Sequence, residues 1–302
     1  MIEKFAKGWY AILHIDEITV KPLGIKRFGL DLVVWRDLDN QVVVMEDRCP
    51  HRSAKLSIGY ICNGNITCPF HGFQFGSDSD CKLAPEFNKA IPRLRVNKYK
   101  SQVKIGMLWV YLGEDEQNLL IDPLIEVHEL FSGKYSVVRK NWRSNITRCI
   151  ENQLDYTHLP EVHKTTIGRN FKMPENPRFI QDGNNILSLQ HDEHDIPSSI
   201  YVYPNSWILN IGNRIKLIVY FVPISAEETR FYIFAYRKFL TNALIKPLMD
   251  FVMNYSNMVI LKQDQSVVLS QGSGFSYAAE GELLMRHDGA IRLFREIWKD
   301  NL

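Results

Sequence analysis

Residues 49–75 read CPHRSAKLSIGYICNGNITCPFHGFQF and contain two cysteine–histidine pairs, each with a proline beside the cysteine. The four side chains are Cys49, His51, Cys68 and His71. The stretch between the pairs is long enough for a hairpin that returns the second pair beside the first. Two thiolates and two imidazoles can hold a tetrahedral zinc ion. They can also hold a [2Fe–2S] cluster with two cysteines on one iron and two histidines on the other. The pairs alone leave both sites open.

A second group of metal-binding residue types lies at residues 151–163, ENQLDYTHLPEVH. Asn152, Asp155 and His158 are spaced three apart, which would put them on one face of a helix. His163 follows five residues after His158, and the proline between them can bend the chain so that both imidazoles converge. Two histidines and one carboxylate form the facial triad of oxygen-activating non-haem Fe(II). The pattern therefore predicts a second metal centre.

A third group of polar residues, HDEHD at 191–195, is not predicted to bind metal. The run 185–191 predicts a strand here. On a strand His191 and His194 would point to opposite faces and could not easily chelate one ion.

The residues that flank the first two pairs connect them with a known family. Cys-Pro-His-Arg, then Leu-Ser-x-Gly, then Cys-Pro-x-His-Gly resemble the Rieske domain of the Rieske non-haem iron oxygenases. Respiratory-chain Rieske proteins carry an extra cysteine beside each ligand pair, whereas Ala54 and Phe70 stand at those positions here. The spacing also differs from that of zinc fingers. The resemblance implies that Cys49, His51, Cys68 and His71 ligate a Rieske [2Fe–2S] cluster.

The stretch around His158 and His163 resembles the mononuclear iron motif of the same family, Asp-x-x-His and a second histidine further on. The resemblance implies that both histidines bind Fe(II). Asp264, in LKQDQSVVLSQ, matches the late Gln-Asp element from which these enzymes supply their carboxylate. Asp250 is the nearest rival, but its surroundings, PLMDFVM, do not match that element.

Two further residues take roles from the resemblance. Asp155 is expected to bridge His158 to a cluster histidine of a neighbouring subunit, here His71, and to form the path of the electron between the centres. Such a bridge requires a ring-shaped oligomer, and a homotrimer is expected. Asn152 occupies a position that lines the iron site in several members.

The 302 residues suggest two domains. Short runs rich in β-branched and aromatic residues at 30–37, 41–47, 59–68 and 107–113 predict a small antiparallel sandwich or barrel. A polar link at 114–124 precedes a pattern of strands and helices that predicts an α+β fold, with an antiparallel sheet covered by helices on one side. We predict helices over 144–159, over 240–270 with a disturbance at Pro247, and from an N-cap at Asp288 to the end.

These elements predict a Rieske β-sandwich domain over residues 1–115 and a catalytic iron domain over residues 116–302. The resemblance implies that the second domain has the helix-grip (START-like) fold, in which a curved antiparallel sheet forms a funnel to the iron.

Composition excludes several classes of protein. The chain is 45% hydrophobic and 23% charged, as is typical of globular domains. A net charge of +2 gives no basic surface for nucleic acid or an anionic membrane. No apolar run is long enough for a membrane span, and the first residues lack the pattern of a signal peptide. Five cysteines are too few for a disulfide scaffold, so we expect a reducing, cytoplasmic location.

The family implies an oxygenase that uses O₂ and electrons from an external reductase or ferredoxin. No Gly-x-Gly-x-x-Gly follows a strand, so the chain has no nucleotide-binding fingerprint of its own. The short chain favours hydroxylation or demethylation of an apolar, aromatic or polycyclic small molecule, with cis-dihydroxylation as the alternative. Two other classes remain open: a Rieske electron-transfer protein without oxygenase activity, and a zinc-binding structural module.

Overall fold

The computed structural model describes residues 4–114, 118–189 and 196–302. The end of the predicted strand 185–191 and the HDEHD group at 191–195 lie outside these residues. The chain divides into two compact units, one of Trp9–Glu116 and one of Met1–Gly8 with Gln117–Leu302.

The first unit is built from short strands. They are β1 (Gly8–His14), β2 (Leu23–Arg27), β3 (Leu30–Arg36), β4 (Val42–Glu46), β5 (Tyr60–Cys62), β6 (Asn65–Thr67), β7 (Gln74–Phe75), β8 (Asp80–Ala84), β9 (Lys89–Arg95), β10 (Lys98–Tyr99), β11 (Ser101–Lys104) and β12 (Met107–Leu112). Their sheets have the orders β1-β12-β11, β10-β4-β3-β2 and β5-β6-β7-β8-β9, and the last two are antiparallel throughout.

The core of the first unit lies between the second and third sheets. Alternate residues of β3 and β4 point into it, as the two-residue period of a strand requires. They meet buried residues of the third sheet and of the loops that carry the cysteine–histidine pairs. The core residues include Val33, Trp35, Val43, Met45, Leu56, Ile66 and Phe75, with Cys49 and Cys68 among them. The predicted antiparallel β-sandwich is confirmed.

The second unit combines helices with strands. They are α1 (Asp122–Leu130), β13 (Tyr135–Trp142), α2 (Ile146–Leu154), α3 (Leu159–Val162), β14 (Arg178–Asp182), β15 (Asn185–Leu189), β16 (Ser199–Val202), β17 (Ser206–Ile211), β18 (Ile215–Pro223), β19 (Thr229–Arg237), α4 (Lys246–Val268) and α5 (Gly289–Asp300). All seven strands form one antiparallel sheet in the order β13-β19-β18-β17-β16-β15-β14.

Three helices pack on the sheet of the second unit. Helix α4 contacts β13 and β19, α2 contacts β18, and α5 contacts β14 and β15. The α+β prediction is confirmed. Within the described residues, no helix combines the length and the apolar character that crossing a bilayer requires.

Two prolines open helices where the sequence predicted a link or a disturbance. Pro123 lies in the first turn of α1, so the predicted link at 114–124 ends in the start of a helix whose Leu124 and Val127 are buried. Pro247 lies in the first turn of α4, where its missing N–H costs no hydrogen bond. The predicted start near Leu240 is wrong, because the backbone of that residue is left-handed, with a φ of 49°.

The last helix begins where the sequence predicted, but its predicted cap differs. Asp288 occupies the N-cap position of α5 without a capping hydrogen bond to that helix. Its carboxylate instead accepts the N–H of Met285 at 2.7 Å and so closes the preceding turn.

Candidate metal centres

Two loops of the first unit repeat one hydrogen-bond pattern around a cysteine. The cysteine N–H donates to the carbonyl five residues later, and the cysteine carbonyl accepts the N–H four residues later. These bonds are Cys49–Ala54 and Ser53–Cys49, both 2.8 Å, and Cys68–Phe73 and Gly72–Cys68, at 2.8 and 3.0 Å. The residue four positions after each cysteine is left-handed, with φ values of 60° at Ser53 and 74° at Gly72. The two loops therefore share one backbone hydrogen-bond pattern around their cysteines.

The four side chains on these loops sort into a buried pair and an exposed pair. The thiols of Cys49 and Cys68 are buried, whereas the imidazoles of His51 and His71 are exposed. The two rings lie 4.7 Å apart between centroids. Thiol is beside thiol and ring beside ring, which fits a [2Fe–2S] cluster with one iron in the interior and one at the surface.

Burial also affects the chemistry of the thiols. It raises the pKa of Cys49 to about 11, and the adjacent Cys68 thiol contributes to the rise. A metal binds the thiolate and so must displace this proton. In the absence of metal Cys49 is therefore held as a thiol.

The Leu-Ser-x-Gly element between the pairs fixes the hairpin. Asp47 accepts hydrogen bonds from the N–H and the hydroxyl of Ser57, at 2.7 and 2.6 Å. A Cβ on Gly59 would lie 2.0 Å from the carbonyl oxygen of Thr67. Only glycine therefore fits where the hairpin closes.

In the second unit, His158, His163 and Asp264 converge, with their ligand atoms all within 4.8 Å of one another. The Oδ1 atom of Asp264 lies 2.9 Å from Nε2 of His163 and 3.5 Å from Nε2 of His158. The two imidazole centroids are 5.3 Å apart. Asp264 and His163 are buried, and Asp264 Oδ1 meets no hydrogen-bond donor among the described residues. An oxygen buried without a donor between two imidazole nitrogens fits a metal ligand.

A network behind His163 fixes that ring. Its Nδ1 donates to Oε1 of Gln263 at 2.9 Å, and the same oxygen accepts the hydroxyl of Thr166 at 2.9 Å. The amide nitrogen of Gln263 donates to Thr165 at 3.3 Å. A proton on Nδ1 leaves Nε2 as the free ligand nitrogen. Sequence reasoning missed Gln263, although it is the first residue of the Gln-Asp element.

His158 lies between two carboxylates. Its Nδ1 is 3.5 Å from Oδ2 of Asp155, a contact too long for a hydrogen bond. Burial opposes its charged form, but Asp155 and Asp264 outweigh burial and raise the pKa of His158 to about 9. Burial favours the neutral acid in Asp264, yet the adjacent imidazoles of His158 and His163 lower its pKa. Without metal, His158 is thus an imidazolium between the carboxylates of Asp155 and Asp264.

The predicted single helix over 144–159 is wrong after Leu154. Asp155 ends α2, and its Oδ1 accepts both the N–H and the hydroxyl of Thr157 at 2.6 Å. This side-chain turn competes with helical hydrogen bonds, and Pro160 then begins the short helix α3. Asn152, Asp155 and His158 therefore do not share a helix face. Asn152 is half-buried on α2, and its Nδ2 has no hydrogen-bond partner among the described residues.

Asp250, the rival carboxylate, is occupied elsewhere. It accepts a hydrogen bond from Arg237 at 2.5 Å and pairs with Lys246. These two cations lower its pKa against the effect of burial. Asp250 therefore anchors the start of α4 to β19.

Helix α2 is held by a partly buried ring of charges that the sequence did not predict. Arg295 on α5 binds Glu151 at 2.7 Å and Glu282 at 2.6 Å. Arg148 binds Glu282 at 2.5 Å. The ring fixes α2 directly before Asn152 and Asp155.

Comparison with known proteins identifies the domain that carries the cysteine–histidine pairs. Residues 8–100 match the family described as Rieske [2Fe-2S] domain. The vanillate O-demethylase oxygenase subunit of a Pseudomonas species is 30% identical over 54% of this chain and 46% of its own. The oxygenase component of 3-ketosteroid-9-alpha-monooxygenase from Mycobacterium tuberculosis is 30% identical over 53% of this chain and 43% of its own. The chain spans about half the length of the curated relatives it matches.

A solved structure of dicamba monooxygenase bound to dicamba shares the fold, with a TM-score of 0.77 over 97% of this chain and 96% of that one, at 21% identity. The relatives align over more residues than the Rieske match alone, and both are named as oxygenase proteins. Because the likeness extends over 97% of this chain, it includes the fold of the second unit. Residues 8–100 therefore form a Rieske [2Fe–2S] domain, in a chain that is similar beyond that domain to proteins named as oxygenase subunits or components.

Proposed function

We propose that the protein is an oxygenase component that hydroxylates or demethylates a small apolar molecule. It would use O₂ and take electrons from a separate reductase or ferredoxin. The observation that carries the proposal is the convergence of His158, His163 and Asp264. An Fe(II) ion held by these three ligands would have positions left to activate O₂ beside a substrate. Cys49, His51, Cys68 and His71 would hold the [2Fe–2S] cluster.

The residues around the proposed iron ligands orient them. Gln263 keeps the proton of His163 on Nδ1, so that Nε2 faces the metal. Asp155 would likewise hold the proton of His158 on Nδ1 if the 3.5 Å distance between that nitrogen and Oδ2 of Asp155 shortened. The Asp155 side chain is 26% exposed, which leaves room for a second contact, and the exposed His71 of a neighbouring subunit in a homotrimer would supply it.

The relatives support the class of substrate. One relative is named as a vanillate O-demethylase and another as a 3-ketosteroid-9-alpha-monooxygenase, and the structural neighbour holds dicamba. We propose an aromatic or polycyclic substrate for this chain and a cytoplasmic location in which its cysteines stay reduced.

Metal analysis with an oxygen assay tests the proposal. Anaerobically purified protein should contain about three iron and two acid-labile sulfide per chain. With reductant it should consume O₂ in the presence of substrate and place one ¹⁸O atom from ¹⁸O₂ in the product or the released aldehyde. His158→Ala should keep about two iron and the cluster spectrum and lose O₂ consumption. Zinc in place of iron, or O₂ consumption unchanged in that variant, would refute it.

A further inference from the structure

The side of α4 that faces the sheet runs from an ion pair to the proposed iron site. Asp250 binds Arg237 at one end, and Asp264 contacts the two histidines at the other. Two buried residues of α4, Asn257 and Leu261, lie between these ends and are spaced so that they share one face with Asp264. Asn257 thus lies two turns from Asp264 on the same face, about 10 Å along the helix axis.

Asn257 lies in the buried layer between α4 and the sheet, and its side-chain amide has an unsatisfied donor. It is 9% exposed, and its Nδ2 has no hydrogen-bond partner among the described residues. A buried donor left unpaired is costly, and leucine of similar size would fill the same space without that cost. Packing therefore does not explain the amide.

Two other buried polar atoms lie near the same end of the layer. Oδ1 of Asn254, one turn before Asn257, is buried without a partner, and so is the hydroxyl of Ser136 on β13, in the part of the chain that the structure describes. Ser136 is opposite Ala235, which alternates with Arg237 and so shares the sheet face that meets α4. Facing elements thus place the unsatisfied groups of Asn254, Asn257 and Ser136 at the end where Arg237 lies.

An apolar stretch separates these groups from the metal ligands. Leu261 is buried on α4, and Val138 and Ile233 are opposite each other on the same sheet face as Ser136. The layer is therefore polar at Asn257, apolar in the middle and metal-binding at Asp264. This order matches an elongated apolar molecule with one polar end.

We propose that Asn257 donates a hydrogen bond to the substrate, and that the substrate carries a neutral oxygen acceptor, such as a carbonyl, at the end away from the oxidised carbon. The inference rests on the proposed function and names its substrate class. The acceptor is neutral because the donor that Asn257 offers is an uncharged amide, while the two cations at this end, Arg237 and Lys246, are bound to Asp250. The apolar skeleton lies along Leu261, towards the carbon that faces the iron ligands.

Stability without ligand tests the role of the amide. Asn257→Leu should leave the thermal unfolding midpoint of the unliganded holoenzyme unchanged or higher, because it removes an unpaired buried donor. Ser256→Leu, at an exposed position of the same helix, measures the effect of leucine itself. A fall of several degrees at Asn257 alone would show that the amide has a structural partner and would overturn the proposal.

Binding of matched probes tests the ligand class. The pairs are indanone with indane, tetralone with tetralin, and fluorenone with fluorene, titrated anaerobically into Fe(II)-loaded holoenzyme by calorimetry. The wild type should bind the ketone about tenfold more tightly in at least one pair, and Asn257→Leu should abolish that preference while keeping the affinity for the hydrocarbon. Equal affinities in every pair, or a preference that survives the substitution, overturn the inference. Iron content and O₂ consumption report separately on the proposed function.

Discussion

Gln263 and His163 are joined by a 2.9 Å hydrogen bond from Nδ1 to Oε1, while the next residue of the chain, Asp264, lies 2.9 Å from Nε2 of the same ring. Two consecutive residues of α4 thus hold both nitrogens of one imidazole. Consecutive helical residues point about 100° apart, so the ring fits between their side chains. The ring and the carboxylate are positioned by one rigid helix.

The first prediction concerns Gln263. Gln263→Leu removes the acceptor for Nδ1 and should lower the affinity of the mononuclear site for Fe(II) by about 10- to 100-fold, because an acceptor of this kind fixes the tautomer of a ligand histidine. Gln263→Glu keeps the acceptor and should retain most of the affinity. Both should keep the cluster spectrum. Equal Fe(II) affinity in Gln263→Leu and wild type, measured by anaerobic dialysis, would exclude this role.

Much of the site was predictable because its chemistry is local in sequence. The cysteine–histidine pairs lie on two loops whose prolines and glycines are visible in the chain, and His158 and His163 are five residues apart. Asp264 was predictable only through family resemblance. It lies about a hundred residues after His158 and His163 in the chain, so no local pattern indicates that it contacts them. Gln263 and Asn257 could not be singled out, because a glutamine or asparagine on a helix is ordinary until its burial and partners are known.

The errors in secondary structure have a shared cause. Periodicity predicted a helix through Asp155 and a helix from Leu240, but local backbone chemistry ends or forbids both. Asp155 binds Thr157 instead of continuing α2, and Leu240 is left-handed. Apolar spacing does not report such side-chain turns.

The second prediction separates the roles of the cysteines. Cys68→Ser should lose the red-brown colour, the acid-labile sulfide and about two iron per chain, because Cys68 is expected to ligate the cluster. Cys62→Ser, at a half-buried cysteine in the hairpin between the pairs, is the matched control and should keep all three. Loss of colour in both variants would show damage to the fold rather than loss of a ligand, and colour retained in Cys68→Ser would remove this residue from the ligand set.

The third prediction concerns pH. The pKa of His158 is raised from 6.5 to about 9, so its contribution to the stability of the metal-free mononuclear site is fully present below about pH 6.5 and is lost as the pH rises through 9. Asp155 and Asp264, which face it, have lowered pKa values and stay ionised in this range. Fe(II) must displace the His158 proton, so its apparent affinity should rise up to about tenfold per pH unit until pH 9.

Titration of cluster-containing protein that lacks the mononuclear iron checks this pH dependence. Unfolding midpoints and Fe(II) affinities are measured between pH 6 and 9, for wild type and for His158→Gln. The variant should lose the decline in stability across this range. A wild-type affinity that does not change with pH would show that His158 is already neutral in the folded protein.

The fourth prediction concerns Asp155, whose Oδ1 holds Thr157 while Oδ2 faces His158. Asp155→Asn keeps an oxygen for Thr157 but removes the charge beside the imidazole. If Asp155 links the two centres, the variant should retain about three iron per chain, and its chemically reduced cluster should stay reduced for at least a hundredfold longer in the presence of substrate and O₂. Thr157→Val removes the hydroxyl contact alone and should oxidise at close to the wild-type rate. Rapid cluster oxidation in Asp155→Asn would assign this residue to the local turn only, whereas loss of the mononuclear iron would assign it to holding His158.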